Sequence, residues 1–295
     1  MKIEIEVSRA LDELADSVRV IGPVTVANHT NYVVTGLVDT HEQKRNLCWC
    51  ILGFIGNIIE ADMSIDSAIG NGKVATDNLQ RALEKRLGVG DSLSLRQKER
   101  KRDPLLQELI SHVLLLIHQR QEKLSVWLGT IQAISMPHLS PNDSGIDLIA
   151  IGSLYGAPIS IIGEVKAYEK KPWDGLNNAC KKFSEIVDGD YDDEIRGALK
   201  SLTKQSDISF TKEQLANNIW REQGHFGALV GHDSQYGKKG RSHIDVNFSS
   251  NQGEVLKQNA DNLFFISSPF YSMRSLFDDL TSELVELSNK LSETL

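Results

Sequence analysis

Two short apolar runs joined by a turn stand in the middle of the chain: "GIDLIAIGSLYGAPISIIGEVKAYEKK", Gly145 to Lys171. "IDLIAI" and "ISIIGE" are rich in β-branched residues and bounded by glycines, which predicts two strands in a hairpin. Runs that are apolar on both faces belong in the centre of a sheet covered on both sides. A sheet of that kind needs helices above and below it, so the fold expected is α/β. Three charges interrupt the runs: Asp147, Glu164 and Lys166. Each is costly to bury alone.

The hairpin register brings the three charges together. A turn centred near Tyr155 makes residues face each other when their numbers sum to about 311. Asp147 then opposes Glu164, with β-carbons roughly 4.5–5.5 Å apart. Lys166 follows Glu164 by two residues and shares its face. Two carboxylates that close repel each other, and either one pKa rises or a cation is recruited. A divalent ion resolves the repulsion with hard oxygen ligands. Lys166 beside it can orient or deprotonate a water and offset charge on a phosphate, while the ion acts as Lewis acid. The bland alternative is an edge-strand ion pair between Glu164 and Lys166 with Asp147 beside the turn.

The surrounding elements follow from periodicity. "MKIEIEV" alternates as a strand does, and "SVRVIGPVTV" and "NYVVTGLV" are strand-like. Residues 41–87 turn helical, with Gly88 as a stop. "LCWCILGFIGNII" is too short to span a bilayer and reads as core. "GVGDSLSLRQKERKRDP" looks like a connection, dividing an N-terminal α+β module (1–95) from a second domain (96–295). Its basic run is either a solvated linker or a contact to a nucleic-acid backbone. "PLLQELISHVLLLIHQRQEK" is a helix with Leu105, Leu109, Val113 and Leu116 on one stripe. Strands follow in "SVWLGTIQAISM", "GIDLIAIGS" and "PISIIGEVKAYE". A helix comes next in "DGLNNACKKFSEIV", then an acidic connection, "DGDYDDE", and further helix through "LANNIWREQ". "FGALVG", "RSHIDVNF" and "LFFISSP" are read as strands, and "MRSLFDDLTSELVELSNKL" as a closing helix.

The order helix, three strands, helix, strand around Asp147 … Glu164-Val165-Lys166 resembles the PD-(D/E)xK nuclease superfamily. Ile146 stands where the family's motif has proline. The resemblance implies a mixed-sheet restriction-endonuclease-like (αβββαβ) core and a Mg²⁺- or Mn²⁺-dependent nuclease acting on DNA. Asp147, Glu164 and Lys166 would be catalytic, and Asp147 and Glu164 would bind metal. Family members often add a Glu from the preceding helix, a place that Glu108 matches; Glu108 is also an ordinary helix former. His112, one turn on, reads as a surface or half-buried residue or a ligand. Lys170, Lys171, Asn177, Asn178, Lys181 and Lys182 would face nucleic acid, or simply solvate a helix. "GEVKAYEKKPWDGLNNACKKF" and "SSPFYSMRSLFDDLTSEL" are also similar to the nuclease subunit of Hachiman-type bacterial anti-phage systems, which implies a helicase partner. A restriction endonuclease acting alone, or a catalytically silent binding module on the same fold, are the other readings.

Net charge is -8, so any nucleic-acid track must be a local one. The three cysteines, Cys48, Cys50 and Cys180, fit no common zinc spacing. They read as buried thiols in a reducing, cytoplasmic setting. His225, His232, Asp233, His243 and Asp245 cluster in sequence. They suggest either a second metal site or, lacking any standard ligand spacing, a strand leading into a polar loop.

Overall fold

The computed structural model describes residues 3–26, 29–56, 59, 81, 83–84, 87, 93–120, 129–139, 145–236 and 262–294. Seven strands form one sheet: β1 (Arg19–Val26), β2 (His29–Thr35), β3 (Thr130–Ile134), β4 (Leu148–Leu154), β5 (Ala157–Ala167), β6 (His225–Asp233) and β7 (Leu263–Phe270). Their spatial order is β1-β2-β7-β6-β5-β4-β3. The run β2-β7-β6-β5 is parallel, and β1 on one side and β4 and β3 on the other add antiparallel edges. The class is α/β with a mixed sheet.

Helices α1 (Ile3–Ser17), α2 (His41–Ile55), α3 (Asp103–Arg120), α4 (Pro172–Asp188), α5 (Asp192–Thr203) and α6 (Met273–Thr294) cover the sheet. α1, α2, α3 and α6 join one core with Leu148, Ile161, Leu229 and Ile266. α4 and α5 join the other with Ile149, Ile162, Phe226 and Val230. Alternate residues of β4 and β5 thus point into different cores, as a central strand requires. α3 is buried almost all round, from Leu105 to Ile117, the pattern of an interior helix.

The opening "MKIEIEV" is not a strand. Ile3, Val7, Ala10, Leu11 and Leu14 recur at helical spacing and are buried along α1. Five alternating residues were too short a window to separate the two periods. The segments expected as a module over 1–95 contribute β1 and β2 to the common sheet, and Leu14, Trp49 and Phe54 to the core that holds Leu109 and Phe277.

The basic run is largely structural. Residues Lys98–Arg102 form a π-helical turn leading directly into α3. Arg102 is buried and ion-paired to Asp103 at 2.7 Å and to Asp278 of α6. Lys98 reaches the same Asp278 carboxylate at 2.7 Å. Arg96, Arg100 and Lys101 remain exposed. Cys48, Cys50 and Cys180 are buried and form no disulfide among the described residues, and burial raises the pKa of the Cys48 and Cys180 thiols. Among the described residues no helix is long and apolar enough to cross a membrane. "RSHIDVNF", with His243 and Asp245, lies outside the described residues.

Candidate metal centre

The β4–β5 hairpin closes on two residues, Tyr155 and Gly156, with φ of 52° and 81°. Positive φ at both central positions matches the right-handed twist of the flanking strands. Leu154 pairs with Ala157 and Leu148 with Gly163, so partner numbers sum to 311. One step further along this register, Asp147 stands against Glu164. Their shared side of the sheet is the α4 side, where Ile149 and Ile162 also point.

Asp147 is held from three directions. Val165 N–H donates to its Oδ2 at 2.7 Å. Lys166 Nζ approaches the same oxygen at 3.5 Å. The chain just before it is pinned by α5, where Glu194 Oε1 accepts the Ile146 N–H at 2.8 Å. A β-carbon on Gly145 would lie 2.5 Å from that Glu194 oxygen, so any larger residue there would push the Glu194 carboxylate aside.

Glu164 is buried on β5 and accepts from Lys166 Nζ at 2.5 Å through Oε1. Its Oε2 is buried with no hydrogen-bond partner. Burial, and then the charge of Asp147, push its pKa up to about 7, against the pull of Lys166. Burial works to lower the Lys166 pKa, but the two carboxylates outweigh it and raise it. Lys166 therefore keeps its proton. It is placed to donate and to offset charge, which disfavours its use as a base on water.

Glu108 reaches the site from the other face, on the first half of α3. Its Oε1 accepts the His138 N–H at 2.5 Å and lies 3.3 Å from His138 Nδ1. Burial first, and then Asp147, raise its pKa, with His138 opposing. Glu108, His138 and Asp147 each bring one donor atom to within 4.8 Å of the others. Glu164 stands outside that group, joined to it through Lys166, which it shares with Asp147.

Sequence reading missed His138. A topological signal existed: β3 and β4 are antiparallel, with Ile134 paired to Ala150. Residues leaving β3 therefore emerge at the sheet end where Asp147 enters β4. His112, expected at the surface or half-buried, is wholly buried. Its Nδ1 lies 2.9 Å from the Glu108 carbonyl oxygen and its ring meets Phe54 edge-on. Burial pushes its pKa down to about 4, so it is a neutral core residue.

The centre opens into a cleft of about 670 Å³ lined by Glu99, Asp103, Glu108, Asp147, Lys166, Glu169, Lys170, Lys171, Asp174 and Arg274, with apolar residues between them. Lys170 and Lys171 are exposed on its wall. Asn178, Lys181 and Lys182 lie further along α4. Asn178 donates to Tyr168 Oη at 2.5 Å. Lys182 Nζ stands 3.7 Å over the Tyr191 ring and acts on the charge of Glu164. Lys181 and Asn178 are exposed and Asn177 is half-buried.

His225 and His232 are buried strand residues. His225 stacks on Phe264, and burial pushes its pKa down to about 4. His232 bonds Ser267 Oγ at 2.6 Å, and Asp233 Oδ1 caps α6 through the Met273 N–H at 2.7 Å. These three serve packing and capping. Comparison with protein-family models, with curated proteins and with solved structures gives no match.

Proposed function

We propose that this chain is a divalent-cation-dependent nuclease that hydrolyses phosphodiester bonds of DNA on a restriction-endonuclease-like core. The observation that carries the reading is Lys166 Nζ lying 2.5 Å from Glu164 Oε1 and 3.5 Å from Asp147 Oδ2. Glu108 and His138 converge on the same carboxylate from the opposite face. A structural ion pair has no need of a second acid whose Oε2 is buried and unpartnered. The donor set fits a cation: Glu108, His138 and Asp147 would hold it, with Glu164 joined to them through Lys166. When bound, the ion supplies Lewis acidity at a phosphate and a template for the attacking water.

The chain's own residues do the rest. Lys166, protonated, offsets negative charge that develops at phosphorus and hydrogen-bonds the attacking water. Val165 N–H and Glu194 fix where Asp147 stands, and fixed geometry at the reacting centre counts heavily in such reactions. Lys170 and Lys171 at the cleft wall, with Asn178, Lys181 and Lys182 beyond, offer contacts to phosphates that carry affinity without sequence information. The cleft holds six carboxylates against four cations. A polyanion would enter that field poorly without a metal ion, so ion binding is expected to precede DNA binding.

The helicase partner and the anti-phage setting rest on the likeness of the Gly163–Phe183 and Ser267–Leu284 segments alone. The nuclease reading is tested by plasmid degradation with wild type, Glu164→Ala and Lys166→Ala, each in Mg²⁺, in Mn²⁺ and in EDTA. Cleavage by the wild type alone, and only with a divalent ion, is the expected result. Equal cleavage in every sample would remove the site from the mechanism.

A further inference from the structure

The metal-centre reading leaves the class of ion open between Mg²⁺ and softer divalent cations. The side chains at the site speak to that choice. One of the three converging donors is an imidazole nitrogen, from His138. Mg²⁺ takes oxygen ligands and retains most of its waters. Imidazole instead suits Fe, Ni, Cu and Zn best; Mn²⁺, lowest in that series, gains least from a nitrogen donor but still more than Mg²⁺.

His138 is brought to the site by its own backbone. Its N–H donates to Glu108 Oε1 at 2.5 Å, and the ring Nδ1 lies 3.3 Å from that oxygen. The residue before it, Pro137, fixes φ and narrows the approach of the chain. Ring and carboxylate therefore arrive as one unit from the β3 exit and from α3. Asp147 completes the set from β4. Beside this group the Glu164 side chain, 9% exposed, leaves Oε2 buried and unpartnered while its other oxygen shares Lys166 with Asp147.

We infer that His138 makes this centre a site for a first-row transition-metal divalent cation in preference to Mg²⁺, with Glu108 and Asp147 as its oxygen ligands. This rests on the metal-centre reading, but binding and cleavage are separable. Mn²⁺ is the probe, because it is paramagnetic and close to Mg²⁺ in the chemistry it supports.

The full chain is stripped with EDTA and titrated with Mn²⁺ and with Mg²⁺ by calorimetry, for wild type, His138→Gln and Asp147→Asn. Wild type is expected to bind Mn²⁺ more tightly than Mg²⁺. His138→Gln should weaken Mn²⁺ at least about tenfold while changing Mg²⁺ by roughly twofold or less. Asp147→Asn should weaken both. Electron spin echo modulation of Mn²⁺-loaded wild type should show coupling to a nitrogen nucleus, a readout that needs no variant to fold. Absence of nitrogen coupling, or a Mn²⁺ to Mg²⁺ ratio unchanged in His138→Gln, overturns the inference. A wild type that binds neither ion overturns it together with the nuclease reading. A chain that binds Mn²⁺ through nitrogen but cuts no DNA supports the inference and sinks the nuclease reading. One that cuts with Mg²⁺ and shows no nitrogen coupling does the reverse.

Discussion

Lys166 Nζ bridges Glu164 Oε1 at 2.5 Å and Asp147 Oδ2 at 3.5 Å, one cation between two carboxylates. A single positive charge cannot compensate both acids in a buried place. Burial, then Asp147, raise the Glu164 pKa from 4.5 to about 7. The sign of the consequence follows from linkage. The folded chain holds a proton on Glu164 that the unfolded chain releases, so this contribution to stability is full below about pH 4.5 and is lost as pH rises through about 7. In EDTA, Glu164→Gln should therefore be more stable than wild type at pH 8, by on the order of 3 kcal/mol at most, and near parity at pH 4. Urea unfolding at the two pH values reads the difference. The variant must be compared with wild type at each pH, because neutral buried His112 and His225, both with pKa pushed down to about 4, bend the wild-type curve the opposite way. A Glu164→Gln variant less stable than wild type at pH 8 would show that burial and Asp147 do not destabilise the Glu164 carboxylate.

A site that gathers three donors in the folded chain alone should couple ion binding to stability. Mn²⁺ at about a hundred times its dissociation constant adds about 2.7 kcal/mol to the folded state. For a chain of this size that corresponds to a rise in Tm of roughly 4–5 °C. Asp147→Asn removes one of the three donors and should abolish most of the rise; EDTA should reverse it in wild type. Thermal unfolding followed by circular dichroism measures both. An undiminished rise in Asp147→Asn would place the ion elsewhere.

The basic run before α3 is expected to matter for stability more than for DNA. Arg102, 3% exposed, lies between Asp103, also 3% exposed, and Asp278. Arg102→Met leaves buried Asp103 paired, among the described residues, with Arg274 at 3.6 Å alone, a loss of about 3 kcal/mol. Asp278 is 45% exposed, and Arg102 keeps Asp103 when it is removed. Asp278→Asn should therefore cost about 1 kcal/mol or less. Equal losses for the two variants in urea would contradict this ranking.

The strands around the site were legible because β-branched runs bounded by glycines leave few alternatives. Asp147 and Glu164 could be matched in register from turn position alone, and the observed strand pairing agrees with the expected one at a sum of 311. What stayed hidden depended on contacts distant in sequence. Arg102 reads as a linker charge until Asp278, far along the chain, is brought beside it. His138 reads as a loop residue until the antiparallel β3–β4 pair places it at the mouth of Asp147. The start of α1 looks like a strand in sequence because the first few residues of an amphipathic helix can alternate as a strand does. Glu194 gave no signal, since its partner is a backbone N–H that no side-chain pattern announces.

The turn at Tyr155 fixes the partner of Asp147 from the far end of β4. Tyr155 adopts φ of 52° with its side chain 99% exposed. The left-handed region costs an ordinary residue roughly 1–2 kcal/mol, while Asn tolerates it. No packing is lost on substitution, so Tyr155→Asn should stabilise the chain by about 0.5–1 kcal/mol and leave ion binding unchanged. Inserting one glycine after Gly156 should behave differently. A one-residue slip sends side chains to opposite faces, and Asp147 would lose Glu164 and Lys166 together. The Mn²⁺-induced rise in Tm should then shrink or vanish even if the insertion variant folds. Retention of wild-type ion affinity by that variant would falsify the link between turn geometry and the metal centre.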